Sequence, residues 1–217
     1  MGRSGQPGGL TWAVRLRIAR GTARGLAHIH ECSARRFVHG DIRPSNILLD
    51  PDFTTRISDF GLLRLFHVAV PAPADASFPY PNSSSSSVDV SNCYRAPEAR
   101  VPGGRPPQQK TDVYSFGLVL LELLTGKSPE FTPPCAAATS SSRASDPGEA
   151  ELVRWVRTGL EEERPLAEMV DPALLWQARA TGEVVAAFRV ALACADTDPE
   201  QRPRMRTVSD SLEKIGT

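Results

Sequence analysis

The stretch TDVYSFGLVLLELLTGK, Thr111 to Lys127, constrains the fold more than any other part of the chain. Between Thr111 and Gly126 it is mostly apolar on every side of a helical projection, whereas a surface helix shows one apolar stripe. Such a helix has to be wrapped by other elements, with Val113, Phe116, Leu120 and Leu124 touching them. Its longest apolar run, Phe116 to Leu124, is too short to span a bilayer and contains Glu122. A mainly helical protein built around this segment is expected.

The flanking sequence supplies the wrapping. Leu10 to Glu31 has apolar residues at Val14, Leu16, Ile18, Ala19, Ala23, Leu26, Ala27 and Ile29, mainly at helical spacing. Thr11 suits its N-cap, and Gly21 and Gly25 permit close packing. NILLD and TRISD read as two short strands joined by the turn Asp50-Pro51-Asp52. Further helices are expected at Glu149 to Gly159, Gly182 to Ala195 and Arg204 to Ile215. Two stretches break the pattern. Leu63 to Asn92 carries Pro71, Pro73, Pro79, Pro81 and the run Ser83 to Ser87, and Ser128 to Gly148 is similar. Such composition offers little apolar surface to offset the entropy of ordering, so an insert at about residues 66–92 is expected to be disordered. The fold class is therefore mainly α with a small β-hairpin region.

Composition narrows function by exclusion. The 217 residues include 25 basic and 25 acidic side chains, so nothing global points to nucleic acid. Cys32, Cys93, Cys135 and Cys194 form no Cys-x-x-Cys pair, which argues against a zinc site or disulfide framework and fits a reducing compartment. Residues 1–10 are a polar, Gly-rich leader without the apolar core of a secretory signal. A cytoplasmic chain without a transmembrane segment is expected.

The chemistry concentrates in FVHGDIRPSNILLD, Phe37 to Asp50. Asp41, Arg43 and Asn46 place an acid, a cation and a neutral oxygen donor within one turn-sized stretch. These are the groups needed to orient a hydroxyl, steady a phosphate and hold a magnesium ion. A plain loop leading into a strand explains the stretch equally well when it is taken alone. SDFG at Ser58 to Gly61, YRAPEA at Tyr94 to Ala99, an Asp at the start of the apolar helix and DPEQRPRM near the end are each individually weak.

Together, in this order and spacing, they resemble the eukaryotic protein kinases, and ARGLAHIHE, SDFGL and TDVYSFGLVLLELLTGK resemble the plant receptor-like kinases of leucine-rich-repeat type. The resemblance runs from about Leu10 onward and implies a kinase C-terminal lobe over 11–217. Its catalytic loop would span 37–46 and its activation segment 59–98. Asp41 would orient the acceptor hydroxyl and Arg43 would touch the transferred phosphate. Asn46 and Asp59 would hold Mg2+ with ATP, and Ser91 would help seat the acceptor residue. Glu98 and Arg202 would form a buried ion pair, and Asp112 would hold the catalytic loop's amides from beneath. A protein substrate or partner kinase is implied. A full-length relative would be membrane-anchored, with this domain on the cytoplasmic face of the plasma membrane.

Three departures qualify the resemblance. Gly40 stands where the family often has an Arg that pairs with a phosphorylated activation loop, making this a non-RD kinase. Arg43 replaces a Lys, exchanging a point ammonium for a planar fork. No Gly-x-Gly-x-x-Gly or strand Lys occurs, so the chain reads as a truncated kinase whose N-terminal β-rich lobe is absent. A non-catalytic pseudokinase or interaction module is the alternative. Small-molecule phosphotransferases also use His-Gly-Asp followed by Asn, but lack the Ala-Pro-Glu, the helix Asp and the late Arg found here.

Overall fold

The computed structural model describes residues 9–32, 37–62, 93–100, 108–129, 149–175 and 181–216. Helix α1 (Trp12–Glu31) is followed by a 3-10 turn (Pro44–Asn46), strand β1 (Ile47–Leu49) and strand β2 (Thr55–Ile57). Short α2 (Pro97–Arg100) precedes the long α3 (Gln109–Thr125). The remainder is α4 (Glu151–Glu161), α5 (Leu166–Met169), α6 (Pro172–Leu175), α7 (Thr181–Cys194) and α8 (Met205–Glu213). The strands pair antiparallel, Ile47 opposite Ile57 and Leu49 opposite Thr55.

Helix α3 is the centre, as its sequence requires. Every residue from Thr111 to Leu121 is buried, and so are Leu124 and Thr125. Fully burying one Leu or Phe side chain contributes about 1.5–3 kcal/mol, so Phe116, Leu118, Leu121 and Leu124 together contribute about 6–12 kcal/mol. Gly126 ends the helix in the left-handed region at φ 69°, its N–H donating to the Glu122 carbonyl at 2.8 Å. Helix α7 lies directly against α3 at Gly117. A β-carbon there would sit 2.9 Å from the Ala191 oxygen, the Ala195 nitrogen and the Cys194 β-carbon.

Helix α1 packs against α8, β2 and α3. Thr11 caps it, its hydroxyl oxygen accepting from the Val14 N–H at 3.4 Å. Arg15 is 5% exposed and ties three parts of the chain together. It donates to the Leu10 carbonyl at 2.9 Å, the Leu123 carbonyl at 2.5 Å and Asp171 Oδ2 at 2.6 Å. Leu10 is thereby joined to the core, although its sequence reads as the end of a leader. Burial works against ionisation of Asp171, but the Ala173 N–H and the Arg15 guanidinium outweigh it and hold the carboxyl below its usual range.

The expected helices agree with α1, α3, α4, α7 and α8 to within about two residues, the usual ambiguity of helix ends. The four-residue helices α2, α5 and α6 are additional; one turn is too short to carry a periodicity. Residues 66–92, expected to be disordered, lie outside the described residues. No described helix is long and apolar enough to cross a membrane.

Candidate functional site

The site grows out of Asp112, in the first turn of α3 and 1% exposed. A carboxylate taken this far out of water requires donors, and three converge on it. Its Oδ2 accepts from the backbone N–H of His39 at 2.8 Å and from His30 Nε2 at 2.9 Å. Its Oδ1 accepts from the Gly40 N–H at 2.7 Å. The loop before Asp41 is thus pinned to the most buried helix of the protein. Gly40 takes the left-handed region at φ 82°, where a side chain would be strained.

His39, 1% exposed, fixes the other side of the loop. Its Nε2 faces the Ser58 carbonyl at 2.8 Å, which can only accept, while its Nδ1 accepts from the Asp41 N–H at 3.2 Å. These two partners select the neutral imidazole with its proton on Nε2.

Asn46, 3% exposed, is oriented by its amide nitrogen, which donates to the Asp41 carbonyl at 2.8 Å and to Asp41 Oδ2 at 3.0 Å. The amide oxygen therefore faces away from Asp41 and accepts from the Ser45 hydroxyl at 3.4 Å. Arg43 Nη2 lies 3.2 Å from Asp41 Oδ2, and the Asp41 side chain remains 41% exposed. An acid open to solvent, a guanidinium and a neutral oxygen donor are held close to one another around Asp41.

Asp59 follows β2 at φ 62° and is exposed. Its neighbour Ser58 is tied to Asn46: the Ser58 N–H donates to the Asn46 carbonyl at 2.9 Å and the Ser58 hydroxyl donates to it at 3.3 Å. Phe60 packs edge-on against Phe37 with ring centres 5.5 Å apart, yet stays 42% exposed.

The donor chemistry fits a hard dication. Asn46 Oδ1 and the Asp59 carboxylate are both oxygen donors, and magnesium commonly takes one or two protein oxygens and completes its shell with phosphate oxygens and water. A larger cluster is not required, and no group of three or more His, Cys, Asp or Glu side chains suited to a metal occurs among the described residues.

Far along the chain, Arg202 forms a two-pronged pair with Glu98, Nη1 to Oε1 at 2.7 Å and Nη2 to Oε2 at 2.9 Å. The Arg202 side chain is 0% exposed and its guanidinium lies 4.9 Å from the centre of the Tyr114 ring. Next to α2, the Tyr94 hydroxyl donates to Glu122 Oε2 at 2.5 Å. Burial pushes the Glu122 carboxyl up, although this hydrogen bond works the other way. Ser91 lies outside the described residues.

Three further residues, given no role from the sequence, take part. His30, His39 and Gln109 hold the loop, the last donating to the His30 carbonyl at 2.8 Å and the Phe37 carbonyl at 3.1 Å. Only His39 could have been found, because it directly precedes Gly40-Asp41. The other two act across gaps of 82 and 72 residues.

Residues 8–210 match the family model of the protein kinase domain. A probable inactive leucine-rich repeat receptor-like protein kinase of Arabidopsis thaliana is 40% identical over 98% of this chain and 29% of its own length. A probable leucine-rich repeat receptor-like protein kinase of the same plant is 39% identical over 95% of this chain and 27% of its own length. An EPD1-interacting receptor-like cytoplasmic serine/threonine-protein kinase of Gossypium barbadense is 36% identical over 95% of this chain and 39% of its own length. The chain spans well under half of each relative. Protein kinases as a family use ATP and magnesium and act on proteins. The helical architecture, the two-stranded sheet and the family match agree: this chain belongs to the protein kinase domain family and, within it, to the plant receptor-like kinases.

Proposed function

We propose that this chain forms the C-terminal lobe of a plant receptor-like serine/threonine kinase, contributing the acceptor-side half of an ATP-dependent phosphotransfer site in signalling. The observation that carries the reading is the anchoring of the loop by Asp112, which fixes the backbone immediately before Asp41. Asp41 orients the acceptor hydroxyl and takes its proton. Arg43, 3.2 Å away, is placed to steady the phosphate that the hydroxyl attacks. Asn46 and Asp59 would hold Mg2+, which when bound with ATP neutralises charge on the phosphates. Ser91 is assigned to seating the acceptor residue. Leu48, Leu49, Phe60 and Leu62, each more than 40% exposed, leave apolar surface around the hairpin that a covering lobe could bury. The substrate is a protein Ser/Thr, and the location is the cytoplasm, on the inner face of the plasma membrane when joined to a receptor.

Phosphotransfer depends on holding the γ-phosphate in line with the acceptor, and these 217 residues contain no Gly-rich phosphate clamp. The chain alone is expected to be inactive. Fusing it to the N-terminal lobe of a related receptor-like kinase should give phosphorylation of a Ser/Thr peptide, abolished by Asp41→Asn. A second reading, a non-catalytic pseudokinase that serves as an interaction module, is favoured by Gly40 in place of the loop Arg and by the relatives described as probable inactive. A well-folded but dead fusion protein would select it.

A further inference from the structure

On the solvent side of α1, Arg17, Arg20, Arg24 and His28 recur three or four residues apart and so share one face. With Phe53 and Thr54 of the hairpin turn and Glu213 at the end of α8, they line a groove of about 810 Å³. Gly21 and Gly25 let the hairpin settle this closely on the helix. A β-carbon at Gly21 would lie 2.1 Å from Thr55 Oγ1, and one at Gly25 would lie 3.2 Å from Ile57 Cδ1.

The groove is unbalanced in charge. Glu213 is the one carboxylate lining it among the described residues, paired with Arg24 and 3.8 Å from Arg20. Arg20 is half-buried and spends its N–H groups on the carbonyls of Leu212, Glu213 and Ile215. Arg17 donates to the Asp52 carbonyl at 2.9 Å, a neutral partner. Glu31 and Asp210, in the adjoining depression, both face Arg206, at 3.4 and 3.6 Å. Three guanidinium groups thus meet one carboxylate. Arg17 is exposed and the Arg24 side chain is 69% exposed, so both retain N–H groups directed at solvent.

We propose that this groove docks a segment of a partner protein bearing two phosphorylated side chains three residues apart. The spacing follows from the helix: seven residues separate Arg17 from Arg24, a rise of about 10.5 Å. An extended peptide covers about 10 Å in three residues. Phosphate is the favoured anion because single exposed carboxylate pairs contribute little. A phosphoryl group brings nearly two charges and oxygens that accept both prongs of an Arg fork. The concave wall formed by the turn suits a peptide better than a flat bilayer. The inference stands apart from the phosphotransfer reading, since none of its residues belongs to that site.

The test is fluorescence anisotropy of the purified full chain with a labelled alanine-background peptide carrying two phosphoserines three residues apart. Binding is expected, weakening as salt rises from about 50 to about 300 mM because exposed charges are screened. Arg17→Glu/Arg24→Glu should weaken it about tenfold or more, whereas Arg154→Glu on α4 should leave it unchanged. If circular dichroism shows the double reversal to be misfolded, Arg17→Ala/Arg24→Ala decides, with a several-fold loss expected. Equal binding of the unphosphorylated peptide, or full binding by the folded double variant, would overturn the proposal. So would binding of phosphatidylserine vesicles, through Arg17 and Arg24, by a chain that ignores the phosphopeptide.

Discussion

Replacing Glu98 by glutamine tests the long-range pair that ties α2 to Arg202. All five N–H groups of Arg202 are engaged. Nε donates to the Asp196 carbonyl at 2.7 Å, Nη1 to Glu98 and the Lys110 carbonyl at 2.7 and 2.9 Å, and Nη2 to Glu98 and the Thr197 carbonyl at 2.9 and 3.2 Å. A glutamine amide would offer one acceptor oxygen and turn its NH2 toward a guanidinium N–H. It would also remove the carboxylate charge that balances an Arg202 side chain 0% exposed. Breaking a buried pair from one side costs about 3–5 kcal/mol. The 22% exposure of Glu98 and the three remaining carbonyls favour the lower end, about 3 kcal/mol. With a urea m-value of about 2–3 kcal/mol/M, the unfolding midpoint should fall by about 1–1.5 M. A double-mutant cycle with Arg202→Met should give a coupling of about 2 kcal/mol, within the range for contacting residues. Urea titration followed by circular dichroism reads both quantities. A midpoint shift below about 0.3 M would mean that the pair behaves like a solvent-screened surface contact, and the argument from burial would fail.

Asp112→Asn substitutes an NH2 for one acceptor oxygen and faces it toward a donor, each unsatisfied buried group costing about 1–3 kcal/mol. Amide exchange at His39 and Gly40 should accelerate more than exchange in the middle of α1; uniform acceleration would remove Asp112 as the loop's anchor. For Asp171, whose folded pKa is depressed, the stabilisation is present above the unfolded value of 3.8 and is lost as pH falls through the folded value. Asp171→Asn should therefore be less stable than wild type at pH 7, with the gap in urea midpoints closing below about pH 4. Gly117→Ala forces a methyl group against the α7 backbone and should cost about 1–3 kcal/mol. That corresponds to a melting temperature lower by about 2–4 °C per kcal/mol, and an unchanged value would show that α3 and α7 separate without penalty.

The sequence by itself determined the local elements and the residue types at the site. An apolar segment without a polar face dictates that α3 is central, Thr11 marks where α1 begins, and the turn at Asp50-Pro51-Asp52 joins β1 to β2. These signals act over a few residues, through hydrogen bonds from i to i+4 and side-chain alternation, so they survive in a linear reading. The loop at Asp41 was legible because Asp41, Arg43 and Asn46 lie so close together along the chain. Glu98 with Arg202 was expected only through family resemblance, as no local physics relates residues 104 apart. What tertiary structure alone decided is which buried groups answer one another. His30 reaches Asp112 because α1 crosses α3, and Arg15 reaches Asp171 because the chain returns to the end of α3. His39 acquires a defined tautomer only when Ser58 is folded beside it. Arg17, Arg20 and Arg24 of α1 line a groove only because Gly21 and Gly25 admit the hairpin beside them. Desolvation supplies the physical reason: a polar group removed from water must find its partner wherever packing brings one, at any distance along the chain.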